Sequence, residues 1–161
     1  MSNVKSSSAL YENIVDAYQT IGGAGSTNLY QVTGIVKVHY IYGIVDVEIA
    51  ADVTTPFLEI DDGAQVPLTL AAGPDISAAP IGSYIAKVNI ATSALEYKSS
   101  AAATISEQAL SPALAEFVVI QKTGGVTTYI RMTNAGAGAT GKIHWYCKWD
   151  KMSRSANLVA A

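Results

Sequence analysis

The chain is short of cysteine and of charge, and each shortage removes a class of protein. Cys147 is the only cysteine among 161 residues, so no internal disulfide can staple the fold. Charged residues make up 14% of the sequence, against about 25% in an average soluble protein. So little charge favours a subunit whose surface is partly covered by neighbours. Lys and Arg total 10, lie scattered, and leave a net charge of −3. The basic footprint of a nucleic-acid binder is missing. No uncharged apolar run reaches the ~18 residues of a membrane span. The opening stretch, MSNVKSSSALYENIV, lacks the continuous apolar region of a signal peptide. Phenylalanine is scarce too, at 2, whereas tyrosine reaches 9. A tyrosine buries a ring while keeping its hydroxyl wet, which suits interfaces and ordinary sheet surfaces alike.

What is present reads as β-structure. The clearest strand is Gly141 to Asp150, GKIHWYCKWD. Ile143, Trp145, Cys147 and Trp149 alternate with Lys142, His144, Tyr146, Lys148 and Asp150, the period of a strand with one face buried. Both tryptophans and the cysteine share the apolar face, so these four residues are expected in the core and the thiol is expected to be inert.

Upstream, Leu10, Ile14, Val15, Tyr18 and Ile21 recur near helical spacing. They predict a short amphipathic helix, or an arm lying on a neighbour, ended by a flexible joint at 22–26. A long β segment from Leu29 to Ala51 has Val36, Val38, Tyr40 and Tyr42 on one face, then Val45, Val47 and Ile49 on the other parity. The reversal predicts a bulge, bend or turn at Gly43-Ile44. Short strands are predicted at 57–60 and 65–70 around an Asp61-Asp62-Gly63 turn, then at 84–90, 116–121 and 126–133. Residues 71–82 read as a loop, 91–114 as a long excursion, and 152–161 as an irregular strap.

Motifs with chemical meaning fare poorly. Gly136 to Lys142, GAGATGK, matches both phosphate-binding strings, yet each needs a helix to start there and here a strand follows. Ile143 also stands where a phosphate loop needs Ser or Thr. His39 and His144 have no third or fourth ligand at metal spacing. Asp61-Asp62-Gly63 lacks the spaced oxygens of a calcium loop. Asp46 and Glu48 lie side by side on a strand rather than across a cleft. No G-x-S-x-G elbow occurs. The residues thus point to a non-enzymatic protein with no catalytic group, no cofactor and no metal.

Two stretches carry a resemblance. One is Asn28-Leu29-Tyr30-Gln31-Val32-Thr33-Gly34, with the β run to Ile41-Tyr42-Gly43. The other is Gly141-Lys142-Ile143-His144-Trp145 through Trp149-Asp150 to Asn157-Leu158-Val159. Together they resemble small virion proteins of tailed bacteriophages made near the major capsid protein. The resemblance implies a structural virion component with no catalytic residues to carry over. Head decoration proteins of this kind are small β-rich trimers that clamp capsid subunits.

The reading is therefore an all-β protein, an antiparallel β-sandwich or jelly-roll-like domain over 26–161, preceded by an arm or short helix over 1–25. The expected role is capsid decoration or cement in the virion, assembled in the host cytoplasm. The expected partners are the major capsid protein or other virion proteins and further copies of the chain, a trimer being favoured, with neither nucleic acid nor membrane. A tail or fibre component is the alternative, and a carbohydrate-binding β-sandwich the second. Leu10, Tyr11, Ile14, Val15, Tyr18, Ile21, Leu158 and Val159 are the expected interface residues.

Overall fold

Alternating side chains and short glycine corners build eleven strands among the residues described by the computed structural model, which are 13–52, 54–69, 73–88, 93–102, 116–134, 136 and 140–161. They are β1 (Ile14–Gly22), β2 (Gly25–Thr33), β3 (Ile35–Val47), β4 (Pro56–Asp61), β5 (Gln65–Pro67), β6 (Tyr84–Ala86), β7 (Glu96–Lys98), β8 (Phe117–Ile120), β9 (Thr128–Asn134), β10 (Thr140–Lys151) and β11 (Asn157–Ala160). The first sheet runs β1-β10-β3-β6-β7, with β8 added beside β3. The second runs β11-β2-β9-β4-β5. Every pairing is antiparallel. Four of the pairs nest inside one another: β1 with β10, β2 with β9, β3 with β6, and β4 with β5. Successive pairs lie in alternate sheets, so the chain is one long hairpin ladder rolled into two layers. That is the jelly-roll arrangement.

The chain changes sheet where its residues allow a corner. Between β2 and β3 the hinge is Gly34, at φ +67° and with Ser153 Oγ only 2.6 Å from where a Cβ would sit. No other residue combines that backbone with that lack of bulk. Side chains complete the corner: Gly34 N donates to Gln121 Oε1 at 2.8 Å, and Ile35 N donates to Ser153 Oγ at 3.1 Å. The segment from Leu29 to Ala51 is therefore two strands in different sheets.

The reversal of faces within β3 does occur, but earlier than expected. Lys148 pairs Tyr40 and Trp149 pairs Val38, which leaves His39 as the extra residue of a β-bulge. Val36 and Val38 are buried before it, and Ile41 and Val45 after it. Tyr40 and Tyr42 therefore face outward, opposite to the expected side. Gly43, four residues past His39, is a glycine for a different reason. It pairs with Trp145, and a Cβ there would come within 2.6 Å of Ile143 and 3.0 Å of the indole ring. Its bare backbone makes room for the tryptophan.

The core fills the space between the sheets. Ile143, Trp145 and Cys147 are fully buried and Trp149 is 5% exposed. They pack with Leu29, Val32, Leu58, Ile130 and Met132 of the facing sheet. A polar side chain is admitted beside the tryptophan. Buried Gln19 accepts from Trp145 Nε1 at 2.9 Å and donates to Met132 Sδ at 3.7 Å. The indole N–H is thereby satisfied inside the core, as a buried donor must be.

Two terminal expectations are corrected. Residues 14–22 form β1, in unbroken register with β10 from Ile14–Lys148 to Gly22–Thr140, so no helix forms there. The helical spacing was a coincidence of mixed faces: Ala17, Gln19 and Ile21 point inward, and Ile14 and Tyr18 outward. Residues 1–12 lie outside the described residues. The tail is no irregular strap either, since β11 pairs with β2 from Asn157–Thr33 to Ala160–Tyr30. The excursion at 91–114 includes the short strand β7, and its 103–114 part lies outside the described residues.

Candidate functional site

Inward-facing residues of β10 make the core, so its alternate residues must meet solvent or a partner. The same holds for β1, β3 and β6 beside it, and together they form the outer face of the first sheet. Register defines rows across this face. Tyr18, His144, Ile44 and Tyr84 make one row, and Asp16, Tyr146 and Tyr42 the next. Ile14, Lys148 and Tyr40 make a third.

The rings interlock along and between the rows. Tyr18 stacks on His144 with centroids 3.9 Å apart, and His144 meets Tyr146 at 4.3 Å. Tyr146 stacks on Tyr42 at 5.1 Å, and Tyr42 touches both Tyr40 and Tyr84 at 5.7 Å. Lys148 Nζ lies 6.0 Å from the Tyr40 centroid. Six rings on four adjacent strands thus form one aromatic band. Such offset and stacked contacts each add about 0.5–1.5 kcal/mol beyond burial. Burial raises the Tyr42 phenol pKa, and neighbouring Tyr40, Tyr146 and Tyr84 reinforce it, so this ring stays neutral in the band.

The two histidines are held differently. His144 Nε2 lies 2.8 Å from Asp16 Oδ2, and its Nδ1 lies 2.9 Å from the Tyr146 hydroxyl. A neutral ring satisfies both contacts, because the phenol can donate to Nδ1. His39 has carboxylates on both nitrogens: Glu116 Oε1 at 2.7 Å from Nδ1 and Asp150 Oδ2 at 2.7 Å from Nε2. Two ionised carboxylates can only accept, so both nitrogens must donate and the ring is an imidazolium. Burial opposes that charge, but the hydrogen bonds to Asp150 and Glu116 outweigh it and raise the pKa. Lys37 and His39 in turn hold the Glu116 carboxyl below its ordinary value. The bulge in β3 is what aims His39 between these partners.

The opposite outer face has another character. On the second sheet Arg131 donates to Glu59 at 2.7 Å and to Asp61 at 2.6 Å, and Thr133 donates to the same Glu59 carboxylate. These charges satisfy one another and leave a polar, closed network. Two shallow clefts, of about 500 Å³ beside Gly34 and 120–125 and about 220 Å³ beside 19–27 and Asn134, are lined by no histidine, cysteine or carboxylate. Among the described residues no group of three or more His, Cys, Asp or Glu is placed to hold a metal. Gly141 and Lys142 lie within β10, so no helix begins at these two residues of the phosphate-like string.

No protein-family model, curated protein or solved structure matches the chain.

The expected interface residues are scattered by the fold. Ile14 and Tyr18 stand on the aromatic face at 49% and 63% exposure, but Val15 packs against the core and Ile21 lies within it. Leu158 is a core residue and Val159 is exposed, both on β11 of the other sheet. Leu10 and Tyr11 lie outside the described residues. Sequence reasoning missed Asp16, Tyr40, Tyr42, Tyr84, His144 and Tyr146 as one group. The signal for His144 and Tyr146 was present, as the second face of the alternation that located the tryptophans. Tyr40 and Tyr42 were hidden by the bulge.

Proposed function

We propose that the protein is a non-enzymatic structural component of a phage virion, a capsid decoration or cement protein docking through the aromatic face of its first sheet. The observation that carries this reading is the six-ring band across β1, β10, β3 and β6, for which the second sheet has in its place the charged network of Arg131, Glu59 and Asp61. A contiguous band of aromatic rings suits attachment by contact area. The low charge of the chain and the likeness of two stretches to small phage virion proteins support the same reading. The jelly-roll arrangement is compatible with it but serves many roles, so it adds little.

The test is the copy number in purified particles, followed by re-addition to particles stripped of the protein. A decoration protein is present in numbers on the scale of the capsid lattice. Tyr42→Asp and Tyr146→Asp should keep the fold and lose re-attachment. Absence from particles overturns the reading, and a copy number far below the lattice scale favours a tail or fibre component.

One observation favours a second reading, a carbohydrate-binding module. Tyr18 offers a ring at 63% exposure beside the Asp16 carboxylate, and sugars stack on such rings while carboxylates accept their hydroxyls. Saturable glycan binding that Tyr18→Ala abolishes, by a protein absent from particles, would decide for it.

A further inference from the structure

We propose that β1 is a self-pairing edge, through which two copies of the chain join their first sheets into one. Sheet edges expose unpaired N–H and C=O groups, and proteins blunt them with short strands, bulges, proline or lysine. The other outermost strands follow that rule. β5 and β7 have three residues each, with Pro67 in the former and Glu96 and Lys98 in the latter, and β8 and β11 have four. β1 has nine residues, contains no Lys, Arg or Pro, and runs along β10 without a bulge. Its one charge, Asp16, is engaged by His144. Among the described residues no strand pairs with its other side.

The ring of Tyr18 indicates the occupant. It stacks on His144 at 3.9 Å and 17°, so one ring face is turned to β10 and the other to the open side of β1. A second β1, antiparallel about a two-fold axis at Tyr18, brings Tyr18 against its own copy. The aromatic row then continues from one molecule into the next. The same register sets Asp16 opposite Thr20 and Ile14 opposite Gly22, so no like charges meet. Both aromatic faces fall on the same side of the joined sheet. An isologous contact of this kind closes at two copies, which favours a dimer in place of the trimer implied by the virion resemblance. The inference stands without the virion reading, since it concerns free protein in solution.

Light scattering on the full chain tests it, together with three variants. The wild type should be a dimer, and Tyr18→Lys a monomer that keeps the circular dichroism spectrum and a cooperative melt, at a lower and no longer concentration-dependent temperature. Tyr18→Cys should form a disulfide-linked dimer under mild oxidation, because facing Cα atoms in an antiparallel pair are about 4.5–5.5 Å apart, within disulfide reach. Ile14→Cys should not cross-link, since the register separates its two copies by about 26 Å. A wild type that stays monomeric at every accessible concentration overturns the proposal. So does a dimer that survives Tyr18→Lys, or an Ile14→Cys protein that cross-links as readily as Tyr18→Cys.

Discussion

Trp145 is the largest fully buried side chain among the described residues. Gly43 makes room for it, and Gln19 accepts its N–H. Trp145→Ala should lower stability by about 3–5 kcal/mol through the cavity, and it leaves the Gln19 oxygen without its donor. Adding Gln19→Leu should then cost less than the two single changes summed, because the residues share one hydrogen bond. Chemical denaturation of the four proteins measures the coupling, and strict additivity would show that the bond contributes nothing. Tyr30 is the reverse case. Its ring is fully buried, and its hydroxyl has no hydrogen-bond partner among the described residues. Burial pushes the phenol pKa up, helped by Cys147, Asp16, Tyr42 and Tyr146, so the group is a neutral, unsatisfied donor. Removing an unpaired buried polar group recovers its desolvation penalty. Tyr30→Phe should therefore raise stability by about 1 kcal/mol, read as a higher denaturation midpoint at unchanged slope. A loss of stability would reveal a partner for the hydroxyl.

Single elements set the behaviour of the outer face. The bulge at His39 ties three of them together, β3 to Asp150 of β10 and to Glu116 just before β8. Folding raises the His39 pKa above its ordinary value near 6.5, so the clamp stabilises fully below that pH. Its contribution is lost as pH rises through the folded-state value. Melting temperatures of wild type and His39→Gln, compared from about pH 5.5 to 8.5, should differ most at the acid end and converge at the alkaline end. A gap that widened with pH would exclude an imidazolium clamp. β1 yields the second prediction at this scale. Deleting residues 1–25 removes Ala17, Gln19 and Ile21 from the core and uncovers the flank of β10. The truncated chain should lose its cooperative melt, the opposite of what a detachable docking arm would allow. What was legible in the sequence follows element by element. The β10 strand was legible because its alternation is unbroken over its length. β1 was not, because Ile14 and Tyr18 face solvent while Val15 and Ile21 face the core, and their sum mimics a helical stripe. The aromatic band needed the His39 bulge, and one extra residue in a strand leaves no mark that local spacing can separate from a turn.

For the molecule as a whole, the nested ladder decides how stability is shared. β10 lies between β1 and β3, and β9 lies between β2 and β4. Neither sheet has its centre until the last quarter of the chain is in place. A fragment of residues 1–139 should therefore give no cooperative transition and no protected amides, by circular dichroism and hydrogen exchange. Native-like protection in that fragment would mean that β1 and β3 can pair without β10. Such remote pairing also makes folding slow, in the millisecond-to-second range of all-β topologies. The same ladder has a consequence during synthesis. A ribosome making about 5–20 residues per second needs on the order of 5–20 s to go from the end of β3 to the start of β10. Through that interval β3 lacks β10 on one side, and Val36, Val38, Ile41 and Val45 have only part of their cover. Exposed apolar surface and an unpaired strand edge make such a nascent chain prone to aggregate, and crowded polysomes are where that risk is greatest.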